Sequence, residues 1–224
     1  MTRMENLELP LRLQAVVSLI PQTDTVVDVG SDHGKLGVWC LQNQVCKKVI
    51  ATDIHAQPAE RTRSFFRMSG WEKESEVYCT DGLTGIPREK HMCIVIAGMG
   101  GLEIVKILGD GCTEEEDTWK DWMFILQPQR SEYELREYLS THGFAILEEK
   151  ISFDRGHFYT IVKAGYTGEN TKLTEEERFL GPYILNEKPV LFEEYMAHKK
   201  KVMTKKALGD PRCAEILGRW EALL

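Results

Sequence analysis

Residues 26–34 carry the residue types and spacing best suited to chemistry. A short β-branched run ends in Asp28, a turn with Gly30 and Gly34 follows, and an amphipathic run begins at Lys35. This order is typical of a strand, a tight turn and a helix that together bind a nucleotide-like ligand. The glycines let the backbone approach such a ligand closely. Asp28 can orient the turn amides and meet a ligand ammonium group, or it is simply an acid at a helix start.

Two cofactor classes use this arrangement, and the glycine spacing distinguishes them. A dinucleotide loop starting at Gly30 needs glycines at positions 32 and 35, where the chain has Asp32 and Lys35. The looser loop of enzymes that use S-adenosylmethionine (SAM) needs glycines at positions 30, 32 and 34, and two of these are present. SAM has no pyrophosphate to repel Asp32. The turn therefore predicts a SAM site and disfavours a nicotinamide dehydrogenase.

Acidic residues follow the next two predicted strands. Asp53 ends the buried run 48–53, where a carboxylate can accept both hydroxyl groups of an adenosine ribose. Asp81 follows the run 76–79 and either accepts from the adenine amino group or is only a turn residue before Gly82. The residues predicted to line the cofactor are Asp28, Gly30, Ser31, Asp32, His33, Gly34, Asp53, Ile54, Asp81, Gly82, Ala97, Gly98 and Met99.

The acceptor is expected beside the strand over residues 92–97, an unbroken apolar run typical of a central parallel strand. Three glycines among residues 98–101 remove side chains from the place where a methyl group must meet its acceptor. Gln127 and Gln129 follow the next strand at the same edge of the sheet. Their amides could bind a nucleobase edge, or they belong to a plain strand-to-helix turn.

The order of elements predicts an α/β fold with a Rossmann-like class I SAM methyltransferase sheet and a small helical C-terminal domain. A final antiparallel hairpin over residues 144–162 favours this fold over a dehydrogenase, in which a further parallel strand or a substrate domain is more usual. The predicted strands span residues 25–30, 48–53, 76–79, 92–97, 122–126, 144–153 and 157–162, and the predicted helices span 9–20, 34–43, 58–68, 102–108 and 131–143.

The predicted domains are a SAM-binding methyltransferase domain over residues 1–166 and a helical, coiled-coil-like domain over residues 172–224. Helices are expected from residue 174, over 190–208 and over 211–223. The longest is expected to place one stripe against a neighbouring helix, formed by Leu191, Tyr195, His198 and Val202. The stripe is too short for a sustained heptad pattern, so it predicts an intrachain hairpin and a monomer.

Composition limits the class of protein. The 224 residues are 42% hydrophobic and 28% charged, which is typical of a globular chain. No apolar run reaches the roughly 18 residues of a membrane helix, and no signal-peptide core is present at the N-terminus. The six cysteines form no CxxC pair. They predict reduced thiols in a cytoplasmic protein with no metal site.

The net charge of −7 does not favour nucleic-acid binding, but the charge is unevenly distributed. Residues 166–224 hold ten basic and ten acidic residues, so the preceding part carries the whole excess. Five lysines cluster within about two helical turns of this part: Lys199, Lys200, Lys201, Lys205 and Lys206. They form either a solvated helix face or a patch that contacts phosphate groups.

Assembled in this order, the motifs resemble the bacterial TrmK-type tRNA (adenine-N1)-methyltransferases, which methylate adenosine 22 of tRNA. The matching segments extend over about residues 9–208, which is nearly the whole chain. They are Leu11–Leu13, Asp28–His33, Ile96–Gly101, Leu126–Pro128 and Leu180–Pro182. Two differences stand out: the family typically has Ala-Tyr-Leu-Pro where this chain has residues 34–37, and it has asparagine where this chain has Gln129.

The resemblance implies a SAM domain followed by a helical domain that helps to hold tRNA. It suggests that Asp32 faces the acceptor and assists by hydrogen bonding or by accepting a proton, with Gln127 and Gln129 at the base. The lysine cluster and Arg12 are predicted phosphate contacts. Two alternatives stay open: a SAM enzyme with a small-molecule or protein acceptor, which would not need the helical tail, and a non-catalytic RNA-binding protein, which would not need SAM.

Overall fold

The computed structural model describes residues 7–111, 119–209 and 211–220. Its centre is a seven-stranded sheet of order β3-β2-β1-β4-β5-β7-β6. The first five strands are parallel, and β7 lies antiparallel between β5 and β6. The predicted α/β fold with its terminal hairpin is confirmed. The strands are β1 (Thr25–Val29), β2 (Lys48–Asp53), β3 (Ser75–Cys79), β4 (Met92–Met99), β5 (Met123–Pro128), β6 (Phe144–Asp154) and β7 (His157–Tyr166).

Helices follow most of the strands and continue beyond the hairpin. The first is shorter than the predicted span 9–20, because Pro10 occupies its N-cap and the chain leaves the helix at Ser18. The helices are α1 (Leu11–Val17), α2 (Lys35–Gln42), α3 (Ala56–Met68), α4 (Gly101–Gly111), α5 (Glu132–Thr141), α6 (Glu175–Leu180), α7 (Pro182–Glu187), α8 (Phe192–Ala207) and α9 (Pro211–Trp220). Residues 221–223 of the last predicted helix and Cys112 lie outside the described residues.

The central strands are buried and mostly apolar because helices cover both faces of the sheet. All five residues of β1 and the first five of β4 are buried. One face of β4 contributes Ile94 and Ile96 to a core that contains Trp119 and Phe124. The opposite face contributes Cys93 and Val95 to a second core, which α1, α2 and α3 cover.

Strand β4 is longer than predicted and contains a bulge. It continues to Met99, beyond the predicted end at residue 97, because it still pairs with β5 there. The register shifts between Ala97, which lies opposite Gln127, and Met99, which lies opposite Pro128. The extra residue at the bulge is Gly98, with φ +85°.

The helical tail packs on the hairpin through a third apolar cluster, to which Ile151 and Phe158 contribute from the sheet. The predicted stripe of α8 is only half correct: Tyr195 is buried and Leu191 partly buried, whereas His198 and Val202 are exposed. Contacts with α9 and with the hairpin fix the rotation of the helix so that a different stripe is enclosed. The buried residues of α8 are Phe192, Tyr195, Met196 and Met203. The division into domains 1–166 and 172–224 stays a prediction.

Candidate functional site

The turn after β1 contains two glycines in the left-handed backbone region. Gly30 and Gly34 have φ values of +72° and +67°, which favour glycine. The turn is fixed to the end of β2, because the amides of Gly30 and Ser31 donate to the carbonyl of Thr52 at 2.8 and 3.1 Å. A Cβ atom on Gly30 would overlap with the methyl group of Met99. The turn, named the glycine cradle, therefore lies directly beneath the Met99 side chain and has no room for a Cβ atom at Gly30.

Asp28 is enclosed beneath this turn, with 7% of its surface exposed. Burial raises the pKa of its carboxyl group to about 6, and a hydrogen bond from Ser31 opposes part of that increase. A buried carboxylate favours a nearby positive charge, such as the ammonium group of an amino-acid moiety. The sequence placed Asp28 at the end of the strand, but its burial is a property of the folded sheet.

The predicted ribose acid lies at the adjoining strand end. Asp53 Oδ1 accepts from the amide of His55 at 2.8 Å, which orients the carboxylate at the start of α3. The next side chain, Ile54, is 58% exposed and offers an apolar surface beside it. A fixed carboxylate next to an exposed apolar side chain suits the ribose and the base of an adenosine.

Asp81 and Gly82 follow β3. The Asp81 carboxylate is 3.1 Å from Lys106 Nζ, an ion pair that sequence spacing did not indicate. The Gly82 carbonyl accepts from Thr52 Oγ1 at 3.0 Å, so this loop is tied to the strand that also holds the glycine turn. The ends of β1, β2 and β3 therefore form one connected edge.

Asp32 and His33 project from the turn toward α3. The Asp32 carboxylate pairs with Arg61 at 2.8 Å and with His33 Nε2 at 3.3 Å, and its side chain is 66% exposed. Arg61 was missed at the sequence level, because nothing in its spacing from Asp32 indicates that α3 would return to the turn. The pair lies at the rim of the cradle and is open to solvent.

The candidate acceptor side forms around Gln127, which is fully buried at the end of β5. Arg12 Nη1 donates to Gln127 Oε1 at 2.5 Å, and Gln127 Nε2 donates to the Pro128 carbonyl at 2.8 Å. Because a guanidinium group only donates, the orientation of the amide is fixed. The Arg12 guanidinium also lies 5.8 Å from the centre of the Tyr159 ring. Arg12, a predicted phosphate contact, is thus a neighbour of Gln127.

Gln129 and Gly98 complete this side. The Gln129 amide donates to the Met99 carbonyl at 2.7 Å, while its side chain is exposed. A Cβ atom on Gly98 would lie 3.6 Å from Arg12 Nη1 and 3.8 Å from Gln129 Nε2. Gly98 therefore leaves space between the two side chains. Met99 joins both halves of the site, because its side chain covers Gly30 and its backbone holds Gln129.

The five lysines of α8 do not share one environment. Lys199 forms an ion pair with Glu132 and lies 5.2 Å from the centre of the Tyr195 ring. Its side chain is only 19% exposed, which differs from the expected surface contact. Lys200 is partly buried, whereas Lys201, Lys205 and Lys206 are exposed. Clustering in sequence predicted their proximity but not their directions.

Within residues 7–111, 119–209 and 211–220, no group of three or more His, Cys, Asp or Glu side chains could hold a metal ion. In the same part of the chain, no helix has both the length and the apolar character needed to cross a membrane.

Comparison with known proteins identifies the family. The sequence profile of the Methyltransferase domain family matches residues 9–162. The tRNA (adenine(22)-N(1))-methyltransferase of Bacillus subtilis is 31% identical over 196 residues, which cover 84% of this chain and 80% of that protein. The chain belongs to the TrmK-type methyltransferase family.

Solved structures of TrmK-type proteins superpose on nearly the whole chain. A Streptococcus pneumoniae protein crystallised with SAM has a TM-score of 0.86 at 26% identity, covering 97% of this chain and 100% of that one. The Bacillus subtilis TrmK structure has a TM-score of 0.78 at 26% identity, covering 97% of each chain. The likeness therefore extends through the helical tail as well as through the sheet.

Proposed function

We propose that this TrmK-type protein transfers the methyl group of SAM to N1 of adenosine 22 in tRNA. The observation that carries the proposal is that the glycine turn after β1, which would hold the cofactor, lies beside Gly98, which would leave space for the acceptor. Strands β1 and β4 pair in register up to Val29 and Ile96. Gly30 and Gly98 therefore follow at neighbouring strand ends, with Met99 between them.

The cradle side suits SAM, which supplies a methyl group on a positively charged sulfur. The backbone of Gly30 and Ser31 would face the amino-acid portion beside the Met99 side chain, Gly34 would let the turn pack closely against α3, and Asp28 would bind the ammonium group. Asp53 would accept the ribose hydroxyl groups. The other residues that we propose to line the cofactor are Asp32, His33, Ile54, Asp81, Gly82, Ala97, Gly98 and Met99.

The reaction depends more on placing the acceptor nitrogen against the methyl group than on activating it, because adenine N1 carries its own lone pair. A bond forms between N1 and the methyl carbon as the bond from that carbon to sulfur breaks, which leaves the base positively charged. Gln129, whose side chain is exposed, would hold the edge of the base in line with the methyl group. Gln127, which is buried, would support the site through its hydrogen bond with Arg12. Asp32 would accept a hydrogen bond or the proton that the charged base releases.

The tRNA must present its base to this site. N1 lies on the Watson–Crick edge, so the adenosine has to leave its stack before it can react. We propose that residues 172–224 hold the rest of the tRNA through phosphate contacts. Lys201, Lys205 and Lys206, which are exposed, would make these contacts. The proposed working unit is a cytoplasmic monomer.

The proposal is tested with SAM and two unmodified transcripts of one bacterial tRNA. One transcript has adenosine at position 22 and the matched control has guanosine there. Nucleoside mass spectrometry should detect N1-methyladenosine only in the first. Methylation of both transcripts would reject the position. Methylation of neither, by protein that binds SAM, would reject the proposed acceptor.

A further inference from the structure

A groove about 610 Å³ in volume lies between the start of α5 and the helical tail. We propose that this groove, named the α5 groove here, seats the RNA strand next to the reacting adenosine. The inference rests on the proposed function and assigns a place to the tRNA. Residues that line the groove include Arg130, Tyr133, Glu134, Phe179 and Lys206.

The α5 groove begins where the candidate acceptor site ends. Arg130 directly follows Gln129 in the chain, and its Nε atom would lie 3.3 Å from a Cβ atom on Gly100. The Arg130 carbonyl accepts from the amide of Gly101 at 2.8 Å. The glycine segment that floors the acceptor opening therefore also borders the groove, so a strand that leaves the opening can enter the groove without a gap.

Charges in the α5 groove favour a polyanion. Among the described residues, Arg130 and Lys206 have no carboxylate within ion-pair distance, while the nearby Glu132 is neutralised by Lys199. Glu134 is an exposed acid that also lines the groove and opposes an anion there. The two cations come from different segments that line the groove, Arg130 from the turn after β5 and Lys206 from α8. This arrangement suits phosphate groups of a strand that runs between the two segments.

Aromatic rings give the α5 groove a surface for unpaired bases. The rings of Tyr133 and Phe179 lie 4.6 Å apart and both line the groove. Bases that have left a helix stack on such rings without regard to sequence. Phosphate-binding cations beside aromatic rings favour a single-stranded or unstacked RNA segment over an acidic peptide, which has no bases to stack.

The test compares Arg130→Gln, Lys206→Gln and the double variant with the wild-type protein. Binding to tRNA is measured by fluorescence anisotropy over about 50 to 300 mM salt, because each lost phosphate contact reduces the slope of log affinity against log salt by roughly 0.7 to 0.9. The slope should fall by roughly 0.7 to 0.9 in each single variant and by about twice that amount in the double variant. Glu134→Gln should raise the affinity, since it removes an opposing charge.

Lys90→Gln is the matched control, because Lys90 is exposed just before β4 at the opposite edge of the sheet. It should leave the slope unchanged, and SAM affinity and melting temperature should stay the same in all variants. A double variant with the wild-type slope would overturn the proposal that the α5 groove binds RNA, even if wild-type protein methylates tRNA. Wild-type protein that binds tRNA through Arg130 and Lys206 but does not methylate it would overturn the proposed function and leave the groove standing.

Discussion

Arg136 and Glu149 form an ion pair that is completely enclosed, with Arg136 Nε 2.8 Å from Glu149 Oε1. Arg136 Nη1 donates to the Arg178 carbonyl at 3.0 Å, in the last turn of α6. Glu149 Oε2 accepts from the amide of Tyr183 at 3.1 Å, in the first turn of α7. The cation thus meets a helix C-terminus and the anion a helix N-terminus, which matches the polarity of both helix dipoles. The pair holds the tail to the sheet at the bend around Gly181.

Removing one partner of the Arg136–Glu149 ion pair should destabilise the fold far more than removing both. Arg136→Met leaves a buried carboxylate without its cation, which should lower the free energy of unfolding by about 3 to 5 kcal/mol. The double variant Arg136→Met/Glu149→Leu leaves no uncompensated charge and should recover a large part of that loss. Urea unfolding measures both. A double variant less stable than Arg136→Met would contradict this account.

Gly181→Ala should destabilise the fold because of both its backbone and its surroundings. The φ angle is +101°, and a Cβ atom would overlap with the Glu149 carboxylate. We expect a loss of about 2 kcal/mol or more in unfolding free energy. Gly156→Ala is the control, since Gly156 has φ +82° and open space around it. Equal losses in the two variants would show that the overlap with Glu149 has no effect.

Asp28→Asn should change the dependence of stability on pH. The folded pKa of about 6 lies above the ordinary value of 3.8, so the wild-type fold is favoured at low pH and loses stability as pH rises through 6. The difference of about two pKa units corresponds to roughly 3 kcal/mol. The variant should therefore melt higher than wild type at pH 7.5, and this advantage should vanish near pH 4. A constant difference across the range would contradict the burial effect.

Arg12→Met distinguishes two roles for this arginine. If Arg12 positions Gln127, kcat should fall by roughly 10-fold or more, with SAM affinity and the salt slope of tRNA binding unchanged. If it contacts phosphate, the salt slope should fall by roughly 0.7 to 0.9 and kcat at saturating tRNA should be kept. The 2.5 Å contact to Gln127 leads us to expect the first result. Steady-state kinetics and anisotropy on one preparation decide between them.

Asp32→Ala should lower turnover by roughly 100-fold, the usual scale of acid–base assistance, with little change in SAM affinity. Arg61→Ala, which removes the partner of Asp32, provides the comparison. It should leave turnover much closer to wild type than Asp32→Ala does. Calorimetry with SAM separates the roles, because a lost affinity in Asp32→Ala would make Asp32 a cofactor ligand instead.

The sequence was sufficient where structure follows from local pattern. The turn from Asp28 to Gly34, the acid at Asp53 and the hairpin around Gly156 depend on residues that are adjacent in the chain. Short-range preferences for strand, turn and helix therefore predicted them. The end of β4 was missed because its continuation depends on pairing with β5, which residues 98–101 do not reveal.

Contacts between segments that are distant in the chain could not be predicted from local sequence patterns. Arg12 and Gln127 are 115 residues apart, and Asp32 and Arg61 are 29 apart. Each pair meets only after the sheet has assembled, so no spacing rule indicates it. The lysines of α8 show the same limit, because the inward direction of Lys199 depends on Glu132 in another helix.

The bulge at Gly98 makes the length of β4 a constraint in itself. Side chains of a regular strand alternate between faces, so residue 99 would share the face of Cys93 and Val95. Met99 instead packs with the core that contains Ile94 and Ile96, because one inserted residue reverses the alternation. In a regular strand of the same length without the bulge, Met99 would lie on the other side of the sheet and would no longer cover Gly30. The contact between Met99 and Gly30 therefore depends on the backbone bulge in β4 as well as on the side chain at position 99.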